Sequence, residues 1–151
     1  MAANTTPIFS LTPNIGMCQI GTTVANISSS GDGLIGTNLY IAFSAGSNGS
    51  FVQKARFYSS AVAAGTTGVA TTVRLFLSSL STGTTTVGTN TILLGEVSIP
   101  AINSANQTNA TNFYDYPLNI ALPASWYILV TQHLAQTTKQ SIQCVVYGSN
   151  Y

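Results

Sequence analysis

His133 is the one histidine of the chain, and nucleophilic catalysis would need it held against an activated serine. Serines abound, but no Gly-x-Ser-x-Gly elbow presents one. His133 itself falls at a strand end beside a polar turn, where a histidine is an ordinary surface residue. Paired carboxylates for glycoside chemistry would have to come from Asp32, Glu96 and Asp115, which fall in a breaker, a strand and a loop. Glu96 is better explained as the structural ion partner of Arg56 or Arg74, because a basic residue within a strand needs a neighbour once its face is covered. Cys18 and Cys144 follow no metal-ligand spacing. Cys144 sits in the apolar run 142–147 and reads as a small core residue; a disulfide to Cys18, joining the two ends of the chain, is the other use open to it. One histidine, two separated cysteines and three scattered acids do not build a dedicated metal site. No glycine-rich loop leads into a helix to cradle a phosphate. The expectation is a protein without cofactors that is not an enzyme.

Composition narrows the partners. Charged residues make up 5% of the 151 residues, against about 25% in an ordinary soluble domain, while hydrophobic residues make up 45%. Four basic and three acidic residues leave a net charge of +1, too little to organise a face against phosphates or anionic lipid. Neither nucleic acid nor a membrane is therefore an expected partner. Solubility falls instead to Ser, Thr and Asn, about a third of the chain. A surface of hydroxyls and amides is easier to desolvate than one of ammonium and carboxylate groups, so the composition suits a protein that is covered in an assembly. The N-terminus lacks the basic and apolar regions of a secretory signal, and no apolar stretch is long enough to span a bilayer.

The elements that would position these residues are strands. Thr, Val, Ile, Tyr and Phe recur in short runs separated by Gly, Asn, Ser and Thr, and helix signals are nearly absent. Residues 1–33 read as an extended N-terminal arm with apolar islands at Ile8, Phe9 and Leu11 and at Ile15, Met17 and Ile20, broken by Pro7, Pro13 and Gly16. Ile8, Phe9, Leu11, Ile15 and Met17 are the candidate contacts to grooves on a neighbouring subunit or on the main body; a disordered tail is the competing reading. Residues 34–151 read as one domain. Strands are expected over 34–43, with Leu39, Ile41 and Phe43 on one face, and over 51–59, with Phe51, Ala55 and Phe57 on one face. Further strands are expected over 71–80, 91–99, 118–122, 126–133 and 141–147. Residues 81–90 and 101–112 read as loops, and Pro117 and Pro123 bracket the short strand. The fold class is all-β: an antiparallel two-sheet β-sandwich of jelly-roll type with an N-terminal arm. Tyr40, Tyr58, Phe113, Tyr114, Tyr116, Trp126 and Tyr127 could instead form a glycan-stacking platform, though core or subunit interface suits most of these rings better.

Over residues 51–151 the motifs run Phe51-Val-Gln-Lys-Ala-Arg-Phe, Thr72-Val-Arg-Leu-Phe-Leu, Leu94-Gly-Glu-Val-Ser-Ile-Pro-Ala, Tyr116-Pro-Leu-Asn-Ile-Ala-Leu-Pro-Ala, Tyr127-Ile-Leu-Val-Thr and Val146-Tyr-Gly-Ser-Asn-Tyr. This order resembles small virion proteins of tailed bacteriophages, among them the decoration or cement proteins. The resemblance implies a β-sandwich that is assembled in the host cytoplasm and binds the capsid exterior. Its partners would then be the major capsid protein and its own copies, commonly as a homotrimer. A carbohydrate-binding head or tail appendage, or another minor virion component, is the alternative.

Overall fold

The structure is a computed structural model that describes residues 10–20, 32–61, 68–101, 113–136 and 140–151. Ile8 and Phe9 lie outside the described residues, as does the expected Asn-rich loop 101–112 apart from Ala101. The described chain is all-β and forms β1 (Thr12–Ile20), β2 (Gly33–Leu34), β3 (Tyr40–Ser44), β4 (Ser50–Ala61) and β5 (Thr71–Ser78). It continues through β6 (Thr84–Thr85), β7 (Thr91–Ile99), β8 (Phe113–Leu122), β9 (Tyr127–Gln132) and β10 (Gln140–Asn150). A first sheet has the order β1-β10-β4-β8 and a second the order β3-β9-β5-β7; β2 and β6 make a two-stranded ribbon. All strand pairs are antiparallel. Both four-stranded sheets contribute to one core, an arrangement consistent with a β-sandwich.

That core follows from the alternation of the central strands, interrupted once in β4. Val52, Ala55 and Phe57 of β4 and Ile142, Cys144 and Val146 of β10 meet Val73 and Leu75 of β5 and Ile128 and Val130 of β9. Phe43 and Phe57 are among the largest fully buried side chains, and each stabilises the fold by roughly 1.5–3 kcal/mol through burial. A smaller cluster of Leu39, Phe76 and Leu129 lies apart from this core, with Ile35, Ile41 and Tyr127 packed against it.

The structure differs from the sequence expectation at several places, in three strands through a local irregularity. Residues 34–43 are two strands separated by a turn at 36–38. An extra residue at Ala42 in β3 then turns Phe43 into the main core while Leu39 and Ile41 join the smaller cluster. In β4 the register breaks at Gln53, so Val52 faces inward and Phe51 is only half-buried. The strand expected over 118–122 runs the whole way from Phe113, through Pro117, and carries Asp115 on a strand instead of a loop. Pro117 is tolerated because β8 is an edge strand with a register break beside it and Asn119 at a φ of 49°. The polar turn 81–90 also contributes β6, which pairs with β2. Of the expected arm 1–33, residues 12–20 are β1, an edge strand of the first sheet.

The two edges of the sheet pair are drawn together where a side chain is missing. At one edge a Cβ on Gly16 of β1 would run into the Ala42 carbonyl oxygen and the Phe43 Cα of β3. At the other, a Cβ on Gly95 of β7 would collide with the Tyr116 ring of β8, whose hydroxyl donates to the Leu94 carbonyl at 2.9 Å. Backbone atoms cannot yield as a flexible side chain does. Gly16→Ala is expected to force β1 away from β3 and destabilise the protein by about 1–3 kcal/mol, read as a lower denaturation midpoint in urea.

Candidate interaction face

The outer face of the first sheet can be built row by row from the strand registers. Ile15 of β1 stands beside Tyr147 of β10, which stands beside Lys54 of β4 and then Pro117 of β8. The next row is Met17, Val145, Arg56 and Asp115, and the third is Gln19, Gln143, Tyr58 and Phe113. The first two rows are therefore apolar on β1 and β10, with Gln19 and Gln143 below them, and the half on β4 and β8 is charged and aromatic. The apolar half is open: Ile15 is 55% exposed, Met17 73%, and Leu11, just before β1, 79%. A shallow cleft of about 420 Å³ lies at its end, bounded by Leu11, Pro13, Ile15, Gln53 and Tyr147 among others.

The charged half is internally matched. Asp115 takes two hydrogen bonds from Arg56, through Nε at 2.6 Å and Nη2 at 2.7 Å, and a third from Lys54 Nζ at 2.9 Å. Both cations also lie over rings: Arg56 is 4.1 Å from the Phe113 centroid and Lys54 5.4 Å from that of Tyr147. Tyr58 and Phe113 pack tilted at 6.4 Å. The hydrogen bonds from Arg56, reinforced by Lys54 against partial desolvation, hold the Asp115 carboxyl well below the usual carboxylate range. The same hydrogen bonds, with a further one involving Tyr58, raise Arg56. One net positive charge remains from the three groups.

β1 is fixed at this edge by a polar knot at the ends of three strands. Asn14 Nδ2 donates to the Ser44 carbonyl at 3.1 Å and to Asn150 Oδ1 at 2.8 Å. Ser50 Oγ donates to the same Asn150 oxygen at 2.6 Å, and the backbone N–H of Leu11 to the Asn150 carbonyl at 2.8 Å.

The outer face of the second sheet is different, because the turn after β2 and the smaller apolar cluster cover part of it. Thr131 Oγ1 donates to the Asn38 carbonyl at 2.6 Å, and Thr85 Oγ1 to the Gly33 carbonyl at 3.0 Å. Arg74 is buried on this face, its Nε 2.6 Å from Glu96 Oε1 and its Nη1 3.2 Å from His133 Nδ1. The structure thus pairs Glu96 with Arg74, whereas Arg56 lies on the other sheet with Asp115. Asp115 and Lys54 were missed as a pair with Arg56 because Pro117 hides the strand that aligns them. The register Arg56↔Asp115 is not local in sequence.

The aromatic side chains are dispersed. Tyr40, Tyr114 and Tyr116 pack against the main core, Tyr127 against the smaller cluster, and Trp126 is half-buried ahead of β9. Tyr58 and Phe113 are the pair from the expected glycan platform that stand together on an outer face. Cys18 and Cys144 are direct partners across β1 and β10, and both are free thiols. No family model, curated protein or solved structure matches the chain.

Two outcomes follow from these charges. Glu96→Gln leaves the buried Arg74 guanidinium without its carboxylate and is expected to cost about 1–3 kcal/mol; adding Arg74→Met should restore most of the loss, measured by urea unfolding. Asp115→Asn is expected to cost less than about 1 kcal/mol near neutral pH, since the cluster is partly exposed and screened. Because the folded-state pKa of Asp115 is depressed, its stabilisation is present above the unfolded value of about 4 and fades as pH falls below it. Unfolding curves of wild type and Asp115→Asn should therefore converge in acid and separate towards neutrality.

Proposed function

We propose that this protein is a structural component of a phage virion, a decoration protein that binds the capsid exterior as a jelly-roll homotrimer. The strand order supports the jelly-roll reading. In that fold eight strands form two four-stranded sheets from two Greek keys, with the first strand beside the last and one hairpin closing the opposite sheet. Setting the small ribbon aside, the orders β1-β10-β4-β8 and β3-β9-β5-β7 follow this scheme, with β5 and β7 as the hairpin.

The observation that carries the docking role is the open apolar half of the first sheet. Ile15 and Met17 on an edge strand, and Leu11 just before it, stand exposed beside Val145 and Tyr147, in a chain with four basic and three acidic residues. Such a surface loses little on desolvation, and Ser, Thr and Asn around it lose less side-chain entropy on ordering than Lys or Glu. A decoration protein needs contacts of this kind, wide and shape-matched, to add buried area across the joints between capsid subunits.

The test is binding of the purified chain to shells of the encoding phage assembled without it. Co-sedimentation at saturating stoichiometry, and a trimer by sedimentation equilibrium, are expected. Ile15→Lys with Met17→Lys should abolish co-sedimentation while the far-ultraviolet dichroism and melting curve stay those of the wild type. A monomer that leaves such shells bare, or binding indifferent to this pair of substitutions, would overturn the proposal.

A further inference from the structure

Cys18 and Cys144 face each other directly across β1 and β10. Opposed residues of an antiparallel pair hold their Cα atoms roughly 4.5–5.5 Å apart, within the roughly 4.4–6.8 Å that a disulfide spans. Both side chains turn toward the core: Cys144 is 1% exposed, and Cys18 packs half-buried against the same cluster. The two thiols lie within hydrogen-bonding reach, and this contact, followed by burial, pushes Cys144 well above the usual thiol range. A recess of about 290 Å³ lined by Met17, Cys18, Gln19, Gln143, Cys144 and Val145 gives access to the pair. The strand they would secure is held mainly by its ladder with β10, since Ile20 is the one fully buried hydrophobic residue that β1 contributes.

We propose that Cys18 and Cys144 form a thiol–disulfide site, oxidised by a low-molecular-weight disulfide such as glutathione disulfide to a bond that staples β1 to β10. Cys18, the more exposed, attacks as its thiolate; the S–S bond of the reagent breaks, one thiolate leaves, and a mixed disulfide forms on Cys18. Cys144 then gives up its proton to the released thiolate, attacks the Cys18 sulfur and expels the second thiolate, which takes the Cys18 proton from solvent. Two protein thiols lose two electrons and two protons in all, and one reagent disulfide becomes two thiols. The raised Cys144 holds less thiolate and so does not start the exchange. A reducing compartment keeps the site open and an oxidising medium closes it. Closure joins a strand near the start of the chain to one near its end, a long loop whose restriction falls mainly on the unfolded state. This site does not depend on the virion reading.

The experiment incubates the reduced, purified chain with glutathione disulfide, quenches in acid, alkylates with N-ethylmaleimide and measures intact and peptide masses. The expected product is a monomer lighter by two hydrogens, refractory to alkylation, with Cys18 and Cys144 peptides linked and dithiothreitol restoring both thiols. Amide exchange across β1 should slow in the oxidised form. Cys144→Ser should stop at a glutathione adduct on Cys18, whereas Cys18→Ser should stay unmodified over the same period. Wild-type chain that keeps two alkylatable thiols, retains the mixed disulfide or links between chains would overturn the site. Linkage without slower exchange in β1 would overturn the stapling. If Cys144→Ser does not fold, the wild-type masses and exchange alone decide.

Discussion

Phe43, Phe57, Leu75, Ile128 and Val146 meet between the two four-stranded sheets, and their contact fixes where everything else can go. Face-to-face sheets stand about 10 Å apart, a gap that side chains of this size fill in the middle but that must close at the margins. The margins close on glycine: Gly16 lets β1 reach the backbone of β3, and Gly95 lets Tyr116 of β8 lie over β7. With the inward positions committed, the pleat assigns every alternate residue outward. The rows from Ile15 to Pro117 and from Met17 to Asp115 are the other side of the same packing.

How much of this was legible in the sequence depended on whether the signal was periodic. β5 was, because Val73, Leu75 and Leu77 alternate with Thr72, Arg74 and Phe76 without interruption, and the structure turns the first set inward. β3 and β4 were not, because single extra residues at Ala42 and Gln53 invert the alternation part-way along. A bulge costs the ladder one residue of pairing and leaves no compositional mark, so the inward residue was read as Phe51 where Val52 holds the place. β8 failed for a different reason. Pro117 carries a valid breaker signal, but an edge strand with a register break beside it tolerates a missing N–H. Glu96 was traced to two arginines by the shortage of partners, and only the register could separate Arg74 from Arg56.

The two outer faces spend the few charges in opposite ways. On the second sheet Arg74 is buried against the more exposed Glu96 and His133, beside a cover of apolar residues and a threonine bonded to a turn. Its charge is enclosed. On the first sheet Lys54, Arg56 and Asp115 stay near solvent but satisfy one another, and rings lie against both cations. A self-satisfied cluster does not need water to keep its hydrogen bonds, so it can be approached by another surface at less desolvation cost than isolated charges. The apolar half beside it has no such charges at all.

β1 joins these threads because it is at once the edge of the sheet, the outermost row of the open face and a wall of the core. Its inner side offers Gly16, Cys18 and Ile20, of which Ile20 is fully buried, while its outer side offers Ile15 and Met17. Little burial therefore holds it, and the polar knot of Asn14, Ser50 and Asn150 holds only one end. The thiol pair sits further along the same strand, near its other end. A surface carried on β1 presents a fixed shape only if β1 itself stays in register, since a slip of one residue would turn Ile15 and Met17 inward. Any covalent tie between Cys18 and Cys144 would fix that register, and so the geometry of the face and the redox state of the strand would be a single variable.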